Sequence, residues 1–482
     1  MKTLKYIALS GLLTLASSCG NSWLNIEPTT EIETETAIKQ LSDIEFTLNG
    51  IYSSMQDAYS YSGRMIYYGD VTGDDMQANG TTKRTSDYYL FEYNKDNGPS
   101  THWASSYAII QNCNIILTKI DKIDTEEPIR RDDLKGQALT LRALALFDLT
   151  RFFGYPYLKD NGASLGVSIV KDLSTIDSKP PRSTVAECYN EVLGDLTTAI
   201  PLLGENFIKG KINKWAAMTL LSRVYLYKGD NALALSTAQD AIKGAESKKY
   251  ALWTNAEYPT AWGVDRSSTT PGEILFEIVN LTVDSPGKES MGYLCSSSGY
   301  SDMILTSSFY TLLQQDSKDV RNKMYKISKY YAFITKYQPQ GNETISDANI
   351  PIFRLSELYL NAAESAVKIG DNANAVKYLD AIVMRANPAK TVKGQTITLD
   401  QVLTERRKEF FGEGHRMFDA LRNHKRIERI DVAVPAIKDT KHWTMLPEAQ
   451  SFDWTYHKSI LPIPKKEMDT NPNMKQNPGY AD

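Results

Sequence analysis

Histidine is scarce in this sequence, and the few that occur are scattered. The 482 residues include five histidines, at positions 102, 415, 424, 442 and 457, and no HExxH, CxxC, GxGxxG or Walker-type motif is present. Zinc and nucleotide sites depend on such closely spaced ligands or glycine-rich loops. The sequence therefore gives no support for zinc or nucleotide chemistry, and we expect no cofactor.

Excess charge and long apolar runs are also missing. The net charge is -4 and there is no long basic run, so the electrostatic footprint of a nucleic-acid-binding protein is absent. After residue 18, no apolar run approaches the roughly 20 residues that a membrane-spanning helix needs. We expect a water-soluble body that does not bind nucleic acid.

Cysteine occurs only four times, at positions 19, 113, 188 and 295. If Cys19 is modified, three thiols remain, and an odd number cannot pair completely within one chain. A disulfide framework is therefore not expected to hold the fold together. Cys113 and Cys188 lie in segments of helical periodicity, where a free cysteine usually behaves as a small buried apolar residue.

The N-terminus has the form of an export signal that ends on a cysteine. An apolar segment at 6–16 follows two lysines and is too short to span a membrane, and small residues at 16–18 precede Cys19. A thiol at this place is the lipid-attachment point of a bacterial lipoprotein. We predict a signal peptide at 1–18 and lipidation of Cys19. The alternative is ordinary signal cleavage with Cys19 incidental, since Ala16 stands where a lipobox usually has leucine.

Helical periodicity dominates both halves of the chain. The segment 184–203 places its apolar residues on one face, and Thr184 with Glu187 has the spacing of a capping box. The segments 220–242 and 361–383 share a Gly-Asp-Asn-Ala sequence and each predict helix, tight turn, helix. Their small residues approximate the tetratricopeptide pattern, which favours a mainly α fold of stacked helix pairs. Helices near 102–122 and 133–153 are expected to join the stack.

Four stretches between the helical blocks have a different composition. The residues 57–101, 155–182, 245–310 and 337–350 are rich in Gly, Ser, Asn, Asp and aromatic residues, with short strand-like runs such as 272–279. Long irregular segments on a rigid scaffold commonly carry binding sites. We therefore look for the functional site there.

Eight segments spread along nearly the whole chain form an ordered set of motifs. They are, in order, CGNSWLNIEP, HWASSYAIIQNCN, LRALALFDLTRFFGYPYL, NKWAAMTLLSRVYLYKGD, IPIFRLSELYLNAAES, ERRKEFFGEGHRMFDALR, LPIPKKEM and QNPGY. This set resembles the SusD/RagB family of surface lipoproteins from Bacteroidetes.

The resemblance implies a function without catalysis. Proteins of this family are anchored at the outer membrane on the cell surface, capture an oligosaccharide or an oligopeptide, and act as a hinged lid that delivers it to a TonB-dependent, SusC-like transporter barrel. The alternatives are a tetratricopeptide scaffold that binds only proteins and, less favoured, a secreted hydrolase.

The resemblance also implies a division of the chain. The signal peptide is followed by an N-terminal SusD-like region with the first helical repeats at 19–244, a loop-rich variable region at 245–350, and a C-terminal region with the last repeat at 351–482. Residues 19–482 are expected to fold as one unit.

In this family the ligand site draws on loops that correspond to about 68–101 and 281–305 here. Aromatic rings in these loops could stack on sugars or peptide side chains, while Asp and Arg fix orientation. The candidate ligand-binding residues are Asp70, Asp74, Asp75, Arg84, Tyr88, Tyr89, Tyr293 and Tyr300.

Several of these assignments have alternatives. The three aspartates could equally be turn residues in solvent, or could bind calcium, although their spacing fits no EF-hand. If 83–93 is a strand, Tyr89, Phe91 and Tyr93 share one face and Tyr88 lies on the other. Trp253 and Trp262 are rival aromatic platforms, whereas Trp103 is expected in the core.

A cluster of carboxylates at 405, 409 and 413 is the best candidate for acid-base chemistry. The spacing places Glu405, Glu409 and Glu413 on one helix face. The basic residues at 406, 407, 408 and 416 surround them, so we favour ion pairs that fix the helix over catalysis.

Overall fold

The computed structural model describes residues 38–173, 177–266, 270–340, 344–438 and 440–480. The predicted signal peptide and Cys19 lie outside these residues. The described chain is mainly α-helical, as the periodicity predicted. No described helix combines the length and the apolar character that crossing a membrane requires.

The helices of the first half follow one another in a packed array. They are α1 (Leu41–Met55), α2 (Arg64–Val71), α3 (Ser86–Leu90), α4 (Thr101–Lys119), α5 (Pro128–Phe153) and α6 (Val185–Ala199). From Gly136 onward helix α5 is buried at nearly every position, and it packs against α1, α4 and α6. Helices α4 and α5 confirm the helices predicted near 102–122 and 133–153. The Thr184–Glu187 capping box that begins α6 is also confirmed.

Two helix pairs continue the array. The first is α7 (Lys214–Lys228) with α8 (Asn231–Ser247), and the later pair is α12 (Leu355–Lys368) with α13 (Asn372–Ala386). The shared Gly-Asp-Asn-Ala sequence forms the turn in both, with Gly229 and Gly370 at positive φ, a helix-terminating conformation that glycine favours. Helix α8 packs against α12, so the two pairs lie side by side although the whole segment from Ser247 to Leu355 separates them in sequence.

The remaining helices are shorter and belong to the loops or the C-terminal part. They are α9 (Tyr258–Ala261), α10 (Met291–Cys295), α11 (Ser307–Gln314), α14 (Leu399–Phe410), α15 (Arg416–Arg422), α16 (Pro447–Gln450) and α17 (Lys465–Thr470). Cys113, Cys188 and Cys295 are free and buried, which confirms the core assignment of the first two.

The strands form four antiparallel pairs and no large sheet in the described chain. They are β1 (Met76–Ala78) with β3 (Met303–Leu305), β2 (Ile274–Ile278) with β6 (Ile350–Arg354), β4 (Tyr325–Ser328) with β5 (Tyr331–Ile334), and β7 (Ile427–Glu428) with β8 (Ser451–Phe452). Strand β2 confirms the run predicted at 272–279. The β1–β3 pair joins the loop-rich stretches 57–101 and 245–310, and it positions the candidate site.

Candidate functional site

The two loops expected to carry the site meet at the β1–β3 pair. The register places Ala78 opposite Met303. Just beyond it, the Asn79 backbone N–H donates to the Asp302 carbonyl at 3.0 Å, and the Asn79 side-chain amide donates to the Ser301 carbonyl at 3.0 Å. These bonds fix the turn after β1 against the segment before β3.

Arg84 from the first loop stacks on Tyr300 from the second. The guanidinium carbon lies 3.9 Å from the ring centre, a cation–π geometry. The Arg84 Nε also donates to a Glu289 carboxylate oxygen at 2.8 Å, and Nη1 lies 3.4 Å from Asp302. The hydrogen bond to Glu289 raises the pKa of Arg84, so the guanidinium stays charged.

Tyr300 also packs against Tyr293, and the two rings form a partly exposed platform. The ring centres are 4.9 Å apart with an interplanar angle of 79°, the favoured edge-to-face arrangement. The Tyr300 backbone N–H donates to the Tyr293 carbonyl at 3.0 Å, and Lys83 Nζ donates to the Tyr300 carbonyl at 2.7 Å. Both rings are half-buried and keep part of their surface open to a ligand. We call Arg84, Tyr293 and Tyr300 the tyrosine platform.

Gly299 permits the close approach of Tyr300 to Tyr293, and replacing it is expected to disturb the platform. A Cβ at this position would overlap the Tyr293 carbonyl oxygen, which is backbone and cannot rotate away. Gly299→Ala is therefore expected to cost about 1–3 kcal/mol of unfolding free energy. Thermal unfolding would measure this. Gly194→Ala is the matched control, since no atom lies within 4 Å of its added Cβ in α6. Equal melting temperatures for both variants would refute the steric argument.

The three aspartates that were predicted to bind ligand lie in the interior of the protein. Asp70, Asp74 and Asp75 are buried. Asp74 is bound by Arg416, whose Nη2 donates at 2.9 Å, and Asp75 is bound by Arg407, whose Nε donates at 2.9 Å. Solvent-exposed turn residues do not fit three carboxylates that are buried, and calcium ligands do not fit Asp74 and Asp75, which are paired with guanidinium groups. We therefore interpret Asp74 and Asp75 as anchors of the loop after α2.

Asp70 differs from the other two because it forms no ion pair with a guanidinium group of the described residues. It accepts a hydrogen bond from the Gly414 N–H at 2.8 Å. Burial raises the pKa of Asp70 well above its ordinary value, and nearby Asp75 acts in the same direction. Asp70 lies within α2 and joins that helix to the segment between α14 and α15 through this backbone contact.

The Asp74 anchor has a predictable dependence on pH. Burial alone would raise the pKa of Asp74, but Arg416 and Arg407 outweigh it and lower the pKa to about 2. Because the folded-state pKa lies below the unfolded value of about 3.9, the stabilisation is full above pH 4 and is lost as pH falls toward 2. We expect Asp74→Asn to lower the unfolding free energy by about 2 kcal/mol at pH 6, with the difference from the unmodified protein vanishing near pH 2.

Urea unfolding at a series of pH values would test this. Asp400→Asn is the control, because Asp400 pairs with Lys425 on the exposed surface and should contribute little at any pH. A difference for Asp74→Asn that persisted at pH 2 would contradict the assignment.

Tyr88 and Tyr89 are buried as well, and their segment is a helix. Residues 86–90 form α3, so the strand considered for 83–93 is wrong. Tyr88 packs edge-on against Tyr68 and His102, and the Tyr89 hydroxyl lies 2.5 Å from His442 Nδ1. Because both rings are buried, they do not line an exposed site.

The carboxylates at 405, 409 and 413 are ion-paired, as favoured, but mostly with distant partners. Glu409 binds Arg354 at 2.8 Å and Arg385 at 2.6 Å, and Glu413 binds Lys336 at 2.6 Å. The expectation that all three share a helix face is wrong for Glu413, because α14 ends at Phe410. The neighbouring Arg406 binds Asp419 at 2.9 Å instead. The cluster is a buried ion-pair network.

The tryptophans divide between the core and the surface. Trp253 and Trp262 are buried, so they do not form the rival platform, and Trp103 lies in the core as expected. Trp443 was not predicted as a site residue, but it is 40% exposed and donates its indole N–H to the Ala78 carbonyl at 3.1 Å. Glu289 and Asp302 were not predicted either, although both lie within the predicted loop 281–305. Polar neighbours around Trp443 were the available signal, since a core tryptophan is rarely flanked by Lys, His and Thr.

Comparisons with known proteins agree on one family. A family model described as "SusD family" matches residues 288–480, and one described as "Starch-binding associating with outer membrane" matches residues 22–226. A crystal structure from Bacteroides vulgatus named "Putative sugar binding protein" is 65% identical, with a TM-score of 0.91 over 92% of this chain and 100% of that chain.

More distant relatives cover similar shares of the chain. A SusD superfamily protein from Bacteroides thetaiotaomicron is 36% identical, with a TM-score of 0.83 over 91% of this chain and 100% of that chain. SusD-like protein P38 from Formosa agariphila is 23% identical over 89% of this chain and 93% of its own length.

Proposed function

Since the chain belongs to the SusD/RagB family, we propose that it captures an oligosaccharide at the outer surface of the cell and delivers it to a TonB-dependent transporter. The observation that carries the proposal is the tyrosine platform. It combines partly exposed aromatic rings, which stack on the apolar faces of sugars, with charged groups that bind hydroxyls. No step of this function requires bond making or breaking.

A glycan is favoured over a peptide for two reasons. The 65% identical relative is named as a sugar binding protein, and one matching family description refers to starch binding. The polar groups at the platform are side chains, namely Arg84, Glu289 and Asp302, whereas a bound peptide is usually held through hydrogen bonds to backbone groups of the receptor. A peptide ligand remains an outcome of the test.

Thermal unfolding with separate panels of oligosaccharides and oligopeptides would test the ligand class. A ligand at about 100 times its dissociation constant should stabilise the fold by roughly 2.7 kcal/mol. A soluble Cys19→Ala chain is suitable, since Cys19 lies outside the described fold. Stabilisation only by peptides would overturn the glycan proposal, and stabilisation by neither panel would favour a protein-binding scaffold.

The anchor and the transporter are parts of the same proposal. We propose that Cys19 carries the lipid that holds the protein at the outer membrane, consistent with the family description that names this membrane. Metabolic labelling with a lipid precursor should mark the protein and not the Cys19→Ala variant. Purification from native outer membranes in mild detergent should recover a large TonB-dependent barrel with it, and a protein that always emerged alone would contradict the partnership.

A further inference from the structure

Trp443 is an exposed aromatic residue held in one orientation. Its side chain is 40% exposed, yet its indole N–H is bound to the Ala78 carbonyl at 3.1 Å. An exposed tryptophan that was merely tolerated on the surface would not need its polar atom fixed to the backbone. The hydrogen bond orients the ring and leaves much of its apolar surface in solvent.

The segment around Trp443 is fixed on several sides. Gln77 donates its side-chain amide to the Lys441 carbonyl at 2.9 Å, and the His442 N–H donates to Asp431 at 2.9 Å. The His442 ring stacks on Tyr89 with an interplanar angle of 14°. Burial lowers the pKa of His442 to about 4, so the ring is neutral at physiological pH. The tryptophan is therefore preorganised, which reduces the entropic cost of binding a ligand.

Trp443 and the tyrosine platform lie on opposite edges of β1. The Asp75 carbonyl and the Asn79 N–H both bond to the β3 segment. Since alternate residues of a strand direct their backbone groups to opposite sides, the Ala78 carbonyl points away from β3 and toward Trp443. With a strand spacing of about 4.8 Å and a hydrogen bond of 3.1 Å, the indole nitrogen lies within about 10 Å of the β3 backbone.

The turn that carries Arg84 connects the two edges. It begins directly after Ala78 and is closed by Ser86, whose Oγ donates to the Gly80 carbonyl at 2.6 Å. Thr81 and Thr82 in this turn are exposed. The exposed hydroxyls of this turn therefore lie, along the chain, between Ala78, whose carbonyl binds Trp443, and Arg84, which stacks on Tyr300.

We propose that Trp443 is a second aromatic subsite of the same ligand site, so that the protein selects oligosaccharides long enough to contact Trp443 and the tyrosine platform together. This inference rests on the proposed function and adds to it a preference for longer oligosaccharides. One sugar ring contacts one aromatic face, whereas a longer chain crosses the turn and gains the second contact. Linking two weak contacts in one ligand raises affinity sharply when the span fits.

Calorimetric titration of the full mature chain would test the proposal. The probes are laminarihexaose, maltohexaose and cellohexaose, each compared with its trisaccharide. Trp443→Ala is expected to weaken binding of the preferred hexasaccharide about tenfold while leaving the trisaccharide affinity unchanged. Tyr300→Ala should weaken both. Trp443→Phe keeps an aromatic ring without the indole N–H and should retain an intermediate affinity.

The controls separate failure of this inference from failure of the proposed function. Phe46→Ala removes an aromatic side chain that is 73% exposed on α1 and should leave every affinity unchanged. Unchanged hexasaccharide affinity in a folded Trp443→Ala variant, with loss in Tyr300→Ala, would overturn the second subsite and leave the proposed function intact. An equal loss for hexasaccharide and trisaccharide would overturn the selection for chain length. Absence of binding to every saccharide by the unmodified chain would count against both.

Discussion

Tyr300→Ala is expected to weaken oligosaccharide binding about 30-fold, the loss that removing roughly 2 kcal/mol of aromatic contact produces. Tyr300 occupies the centre of the tyrosine platform, between the Arg84 guanidinium and the Tyr293 ring. The alanine variant loses the stacking surface of the Tyr300 ring. It also loses the ring that both the Arg84 guanidinium and the Tyr293 ring contact. Calorimetric titration with the hexasaccharide that stabilises the protein most would measure the change.

The Tyr300 variant needs a control for folding and a control for position. Tyr300 is only half-buried, so its melting temperature should fall by no more than a few degrees. Tyr330→Ala removes a tyrosine that is 49% exposed at the turn between β4 and β5, and this variant should bind normally. Undiminished affinity in a folded Tyr300→Ala protein would remove the platform from the binding site.

Glu409→Ala is expected to destabilise the fold by about 3–5 kcal/mol, because it leaves buried positive charges without their counter-ion. Glu409 is fully buried, and its carboxylate binds Arg354 at 2.8 Å and Arg385 at 2.6 Å, with Arg321 at 3.8 Å. These arginines come from three separate segments, so the carboxylate joins α14 to α13 and to the end of β6. Urea or thermal unfolding would measure the loss.

A surface glutamate provides the matched control for Glu409. Glu127→Ala breaks a pair with Arg130 in which both side chains are about half exposed, and such pairs contribute at most about 1 kcal/mol. Glu409→Gln keeps the volume and removes the charge, so it should fall near Glu409→Ala if charge is the cause. Equal stability of the Glu127 and Glu409 alanine variants would contradict a structural role for the network.

Local signals in the sequence predicted most of the fold. The Thr184–Glu187 capping box and the glycines at 229 and 370 act within a few residues, so a single sequence shows them. The strand considered at 83–93 failed because the aromatic residues that suggested it are buried by tertiary contacts with Tyr68, His102 and His442. Here packing overrode intrinsic strand preference.

The candidate site was only partly predictable for the same reason. Arg84, Tyr293 and Tyr300 were named individually, and the structure brings them together. Asp74 and Asp75 are aspartates in a loop, as ligand-binding aspartates often are, so the sequence alone suggested a binding role. Their actual partners, Arg416 and Arg407, lie more than 300 residues later in the chain. No spacing rule connects residues at that distance. Trp443 was missed because its neighbour Ala78 is equally remote in sequence.

The anchoring of the loop after α2 also sets an order of events during folding. Asp75 and Arg407 are separated by 332 residues, and Asp74 and Arg416 by 342. Contacts between such distant segments form late, because a long stretch of chain must first be brought into place. The helices of the first half can assemble as soon as they are synthesised or exported. The loop that leads to the proposed binding site must wait for the C-terminal helices, so we expect a chain truncated before residue 407 to form much of the scaffold without completing that site.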